Sequence, residues 1–221
     1  MKIKTYLSLG LLAMTCSATT AATVAFEFNG TNDTEGWAGN NVTGLTTQTT
    51  TVGSGGEGVL TATSVGNDVQ LNSGSMALAA GETWQTVEFR FRQLDTTGAP
   101  ASFRSSGALI ILQIAGGSSN MGTMVNPLTT TAAGTGSMAG DTFGFSIAND
   151  GADEWRLATI TFAAAPTSAS SNITNIRFDP VGNSTLWNFE VDYVRATSVP
   201  EPSSTALLGL AFGGFMLRRR R

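Results

Sequence analysis

The chain has 221 residues, room for one domain plus targeting segments when a domain takes roughly 150 residues. Six of its 12 basic residues lie at the two ends, so the stretch from Thr23 to Pro202 sets six arginines, no lysine and no histidine against 16 acids, a charge of about −10. Such a surface repels phosphate backbones and excludes nucleic acid as a partner. The absence of histidine excludes Ser-His-Asp and Cys-His nucleophiles and imidazole-bound metals, and the single cysteine, Cys16, leaves the body without a disulfide or thiolate metal site.

Residues 1–22 open with Lys2 and Lys4, continue with an apolar run from Tyr6 to Met14 and end in the small residues Ser17–Ala22. That order predicts a secretory signal peptide, a short helix cut after Ala18, Ala21 or Ala22. Thr15 before Cys16 is too large for a lipoprotein site. From Thr23 to Ser198 the composition turns to Gly, Thr, Ser, Ala and Asn around short apolar patches, which is strand-and-turn chemistry.

In chain order the predicted strands are Ala25–Phe28, Gly58–Thr63, Val69–Leu71, Trp84–Arg92, Ala108–Ile114, Phe143–Ile147, Trp155–Phe162, Ile176–Phe178 and Phe189–Tyr193. In the fourth, Val87, Phe89 and Phe91 alternate with Glu88, Arg90 and Arg92, so one face is apolar and the other charged. Phe189, Val191 and Tyr193 alternate in the same way with Glu190 and Asp192. The run Ala108–Ile114 is apolar throughout and suits a strand covered on both faces. Asn40–Glu57 and Gly116–Gly140 are expected as long loops, the first equally suited to an irregular strand because threonine favours extended backbone. About nine strands with no helical stripe predict an all-β antiparallel β-sandwich of jelly-roll topology over residues 23–198, preceded by the signal helix and followed by a C-terminal hydrophobic helix.

Residues 199–221 read Val199-Pro200-Glu201-Pro202, two serines, an apolar stretch Thr205–Leu217 and Arg218, Arg219, Arg220 and Arg221. The prolines are expected to break preceding structure and leave an extended, accessible peptide. The apolar stretch spans roughly 20 Å as a helix, short of the ~20 residues that cross a bilayer comfortably, and the arginines hold their end in the cytoplasm. This arrangement resembles the PEP-CTERM sorting signal of Gram-negative bacteria. The resemblance implies recognition of Val199, Pro200, Glu201 and Pro202 by a membrane-embedded exosortase, transient residence in the inner membrane, orientation by the four arginines, and a body released or transferred to the cell surface or extracellular matrix.

The opening Phe26-Glu27-Phe28-Asn29-Gly30 with Thr34-Glu35-Gly36-Trp37, and the closing Ile176–Gly182 and Phe189–Arg195, are similar to the first and last strands of bacterial jelly-roll modules with a galactose-binding-like or carbohydrate-binding fold. Pairing of those strands would bring Glu27 and Asp192 together as oxygen ligands for calcium; the competing expectation pairs them with Arg177 or Arg195. Sugar stacking needs an exposed aromatic ring, for which Trp187, Trp155 and Trp84 are the candidates and Trp187 the first, while Trp37 is expected to be structural. Carboxylate pairs such as Asp153 with Glu154, or Asp179 with Asp192, arise by chance among 16 acids and do not make a glycosidase, and the one threonine run, Thr46–Thr51, lacks the repeat of an ice-binding surface. The expectation is a non-enzymatic exported body contacting exopolysaccharide; the alternatives are a structural matrix protein without a ligand and a glycoside hydrolase.

Overall fold

A computed structural model describes residues 23–49, 58–66, 68–74, 76, 82–101, 109–114, 121–125, 132–138, 141–163, 173–180 and 187–200. All of them belong to one compact unit, Ala21–Glu201. The expected signal peptide and the tail from Glu201 onward, with Pro202 and Arg218–Arg221, lie outside the described residues. Among the described residues no helix is long and apolar enough to cross a membrane.

The strands are β1 (Thr23–Phe26), β2 (Ala38–Asn40), β3 (Val42–Thr49), β4 (Gly58–Ser64), β5 (Gln70–Asn72), β6 (Glu82–Leu94), β7 (Pro100–Ala101), β8 (Leu109–Ile114), β9 (Met121–Val125), β10 (Ala132–Met138), β11 (Asp141–Asn149), β12 (Arg156–Phe162), β13 (Ile173–Asp179) and β14 (Asn188–Pro200). They form two antiparallel sheets. The larger runs β10-β11-β12-β6-β14-β4-β3, with β1 beside β14 and β7 beside β6; the smaller runs β2-β5-β13-β8-β9. The chain crosses between sheets at β4-β5-β6 and again at β12-β13-β14, the winding expected of a jelly roll.

Each of the nine expected strands is present. Of the five others, the expected loops hold three: Asn40–Glu57 contains β3 and Gly116–Gly140 contains β9 and β10. These three, with β2, are the four ends of the two sheet paths. An end strand has one neighbour and buries less, so its sequence does not need the apolar alternation that betrays an interior strand. In β10 the residue opposite Phe145 is Gly134, where an added Cβ would come within 2.8 Å of the Phe145 ring. The aromatic takes the space that a side chain would fill, and the glycine reads as loop in sequence.

The core lies between the sheets. Val87, Phe89 and Phe91 of β6 and Phe189, Val191, Val194 and Ala196 of β14 face it from the large sheet, while Leu71, Ile176 and Phe178 face it from the small one. Phe178 bridges them, its ring centroid 4.6 Å from Phe89, 5.2 Å from Phe91 and 6.5 Å from Phe189. One expectation is corrected. The strict alternation Phe189, Val191, Tyr193 breaks at a bulge between Val191 and Tyr193. The extra residue shifts the phase, so Val194 enters the core and Tyr193 stays half-buried on the other face.

The opening turn is built around Glu35, whose carboxylate accepts the backbone N–H groups of Glu27 at 2.9 Å and Phe28 at 2.8 Å. Its own N–H donates to Asp33 Oδ1 at 3.0 Å. That clamp presents Trp37 edge-on to Phe26 and Phe28, with centroids 5.7 and 5.9 Å apart, and Trp37 is structural as expected. Truncating the bridging ring, Phe178→Ala, should cost about 3–5 kcal/mol in urea unfolding, the range for loss of a fully buried aromatic.

Candidate functional site

The face of β6 and β14 that points away from the core carries Glu88, Arg90 and Arg92 beside Glu190, Asp192 and Arg195. Alternation predicts this face as solvated. It is largely covered instead: Arg92, Glu190 and Asp192 are all buried. The cover is Trp155, completely buried at the foot of β12, with the guanidinium carbons of Arg90 and Arg92 each 4.4 Å from its ring centroid. The β11–β12 connection that delivers it turns through Asp153 and Glu154 at φ 62° and 60°, two successive left-handed residues. Arg92 Nε donates to Glu190 Oε2 at 2.6 Å; Arg90 Nε donates to Asp150 Oδ2 at 2.6 Å and its Nη1 to Asp192. Charge-assisted bonds of this kind are what permit ions to sit under an indole.

The two acids expected to share calcium are not gathered for it. Glu27 accepts both forks of Arg195, at 2.6 and 2.7 Å, and Asp192 is held by Arg90. The antiparallel pairing of β1 with β14 does form, yet each carboxylate spends its oxygens on a guanidinium. Among the described residues no group of three or more acidic or thiol side chains is placed to hold a metal. Arg195 also lies 3.9 Å from the Tyr193 ring centroid, covering one face of it. On the small sheet, Arg177 forks Asp179 at 2.7 and 2.6 Å and reaches Asp68 at 3.1 Å. Burial pushes the Asp179 carboxyl up, with the hydrogen bond from Arg177 working against it.

The carboxylate pairs share this fate. Glu154 faces Arg156 at 3.1 Å, and Asp179 and Asp192 sit in different sheets, each with an arginine.

The tryptophans divide. Trp84 and Trp155 are both at zero exposure, so neither offers a ring to a sugar, correcting that expectation; both were drawn inward because an indole buries a large apolar area. Trp187 is half-buried, packed against the core along one side. Its backbone is fixed reciprocally by Ser64: Trp187 N–H donates to Ser64 Oγ and Ser64 N–H to Trp187 O, both at 2.9 Å. Beside it, Asn188 accepts from Thr63 Oγ1 at 2.6 Å and donates to Asp95 O at 3.2 Å.

The start of the tail is not a free peptide. Val199 and Pro200 are the last residues of β14, paired with Thr83 and Glu82 of β6. Ser198, fully buried, donates its hydroxyl to Glu82 Oε2 at 2.9 Å. Proline ends the ladder by lacking an N–H, and one position is compatible with a strand end. No motif in the sequence signals this overlap; only the length of β6, which begins two residues before Trp84, creates it.

Residues 198–221 match the PEP-CTERM protein-sorting motif, which indicates export and sorting to the cell surface or beyond. No curated protein matches the chain. Among solved structures the chain is similar to the K1 cleaved adhesin domain of Lys-gingipain from Porphyromonas gingivalis W83, at 12% identity and TM-score 0.48 over 79% of this chain and 97% of that one. It is also similar to the C-terminal CBM6 of LamC, a marine laminarinase from Zobellia galactanivorans (12% identity, TM-score 0.38, 80% and 99%). A third is the family 11 carbohydrate-binding module of the cellulosomal cellulase Lic26A-Cel5E of Clostridium thermocellum (14% identity, TM-score 0.34, 82% and 89%).

Two outcomes are expected. Glu190→Gln should destabilise the body by about 3–5 kcal/mol in chemical denaturation because it strands the buried Arg92, whereas the double replacement Arg92→Met with Glu190→Leu should cost less than either single change. Removing divalent cations with EDTA should move the thermal midpoint by less than about 1 °C; a calcium ion held at a hundred times its Kd would add about 2.7 kcal/mol, and its loss would be plain in the melt.

Proposed function

We propose that the protein is an exported, exosortase-processed component of the cell surface or extracellular matrix, with a non-catalytic jelly-roll body that contacts exopolysaccharide through Trp187. The observation that carries the routing is the match of residues 198–221 to the PEP-CTERM protein-sorting motif. The apolar stretch of the tail is too short for a permanent anchor and suits a transient stay in the inner membrane before removal. For the body, the supporting observation is that Trp187 alone of the four tryptophans keeps part of its ring outside the core. A half-open indole beside amide and hydroxyl groups suits the apolar face of a pyranose.

A second reading, a matrix protein without a ligand, is favoured by a different observation. Arg90, Arg92, Arg156, Arg177 and Arg195 are each bound to a carboxylate of the same chain. Guanidinium groups spent internally do not recognise an external anion, so these five arginines offer no contact to a charged ligand.

The routing is checked by intact-mass analysis of the protein recovered from outside the cell: the mature C-terminus should fall within Val199–Pro202, and a chain extending to Arg221 would refute it. The ligand is checked by pull-down of the processed body on the host's own exopolysaccharide. Trp187→Ala should weaken retention about tenfold, the equivalent of one stacking contact. Equal retention of wild type and variant at background level would favour the matrix reading.

A further inference from the structure

The final residues of β14 are where the folded body and the sorting tail overlap. Ser198 pairs with Trp84, Val199 with Thr83 and Pro200 with Glu82, so half of the tetrapeptide Val199–Pro202 belongs to the sheet. The ladder changes character there. β1 flanks β14 as far as Thr197, opposite Thr23, and a bulge separates Thr197 from Ser198. Beyond the bulge β6 is the one neighbouring strand among the described residues. A side-chain contact then closes the three-residue zipper: the hydroxyl of Ser198, itself at zero exposure, donates to the Glu82 carboxylate.

An enzyme that cuts or transfers a peptide takes it as an extended strand and supplies the main-chain hydrogen bonds itself, as strand-adding recognition sites do. Main-chain groups already bonded to β6 cannot be offered to the enzyme, and the folded body on that side bars it from surrounding the segment. We propose that the pairing of Ser198–Pro200 with Glu82–Trp84, latched by Ser198 and Glu82, is an autoinhibitory contact that withholds the sorting motif once the body has folded. Processing then acts before β14 closes on β6, or on the minor population in which the last three residues have peeled away. A segment held from one side, next to a bulge and ending at proline, belongs to the low-stability end of local opening, so the contact delays processing and does not forbid it. The proposal rests on the exosortase reading for its enzyme, and on the sheet register alone for the shielding.

The test uses the full chain in a host that carries the processing enzyme. Thr83→Cys combined with Val199→Cys places a thiol on each member of a cross-strand pair, and the exported body has no other cysteine to compete. The oxidised double variant should retain its tail by intact mass and lose it after reductant is added, at the rate of the Val199→Cys single variant, which carries the same change in the motif, while Thr83→Cys alone is processed at the wild-type rate. Glu82→Ala should be processed about five times faster, the factor carried by one net hydrogen bond of ordinary strength. Hydrogen exchange on the uncut chain reads the same zipper with no enzyme present: of the amides of Ser198 and Val199, the one turned toward β6 should be protected in the wild type and exchange about five times faster in Glu82→Ala. Processing of the oxidised double variant as fast as of its reduced form, or exchange at the amide turned toward β6 as fast as in a free peptide, overturns the proposal. A wild-type chain that is never shortened in such a host would overturn the sorting reading and leave the exchange result standing.

Discussion

The pairing of β6 with β14 organises this protein. Each strand is 13 residues long, and the two run antiparallel from Leu94 and Asn188 at one end to Glu82 and Pro200 at the other. One face of the pair supplies Val87, Phe89, Phe91, Phe189, Val191, Val194 and Ala196 to the core; the other carries the ions that Trp155 covers; its end carries the first half of the sorting motif. Because both strands lie inside the large sheet, each face must be satisfied, by apolar packing on one side and by charge pairing on the other. The bulge between Val191 and Tyr193 is the adjustment that makes this possible, moving one residue out of phase so that Asp192 meets Arg90 while Val194 reaches the core.

The charged side of that pair shows why the basic positions described in the body suit arginine better than lysine. A guanidinium forks a carboxylate with two parallel bonds, is weakly hydrated and lies flat on an aromatic ring, so it tolerates burial under an indole where an ammonium would not. Arg195 with Glu27 and Arg177 with Asp179 repeat the fork at the rim of the fold. Pairs such as Arg92 with Glu190 are weak sources of net stability, since desolvation offsets most of their attraction, but they tolerate one register and penalise others by leaving a bare charge inside. With no disulfide available to the body, stability rests on packing, and uniqueness of register rests on these pairs.

The same frame brings the start of β1 and the end of β14 to one end of one strand pair. Thr23, immediately after the expected signal peptide, lies opposite Thr197, and the sorting motif begins two residues later. The start of β1 and the end of β14 therefore leave the sheet side by side. Opening at either place is set by the local stability of the strand ends at Thr23 and Ser198–Pro200, rather than by that of the core.

Much was legible in the amino-acid order, and the division follows burial. The interior strands β4, β6, β11, β12, β13 and β14 announce themselves because a strand with neighbours on both sides must present apolar residues to the core at period two, as Phe89 and Phe91 do. The end strands β2, β3, β9 and β10 do not, and Gly134 even reads as loop because Phe145 from the next strand fills its place. The sorting motif is local chemistry, a proline-flanked glutamate before grease and arginines, so order alone determined it, and the signal peptide expected at the front is read from the same kind of pattern. The pairing partners of Glu27 and Asp192, the burial of Trp84 and Trp155 against the half-exposure of Trp187, and the capture of Val199 and Pro200 in β14 were decided by the tertiary structure alone. Each depends on which residue of a distant strand stands opposite, and register across more than 100 residues of chain is a property of the assembled sheets that no local pattern encodes.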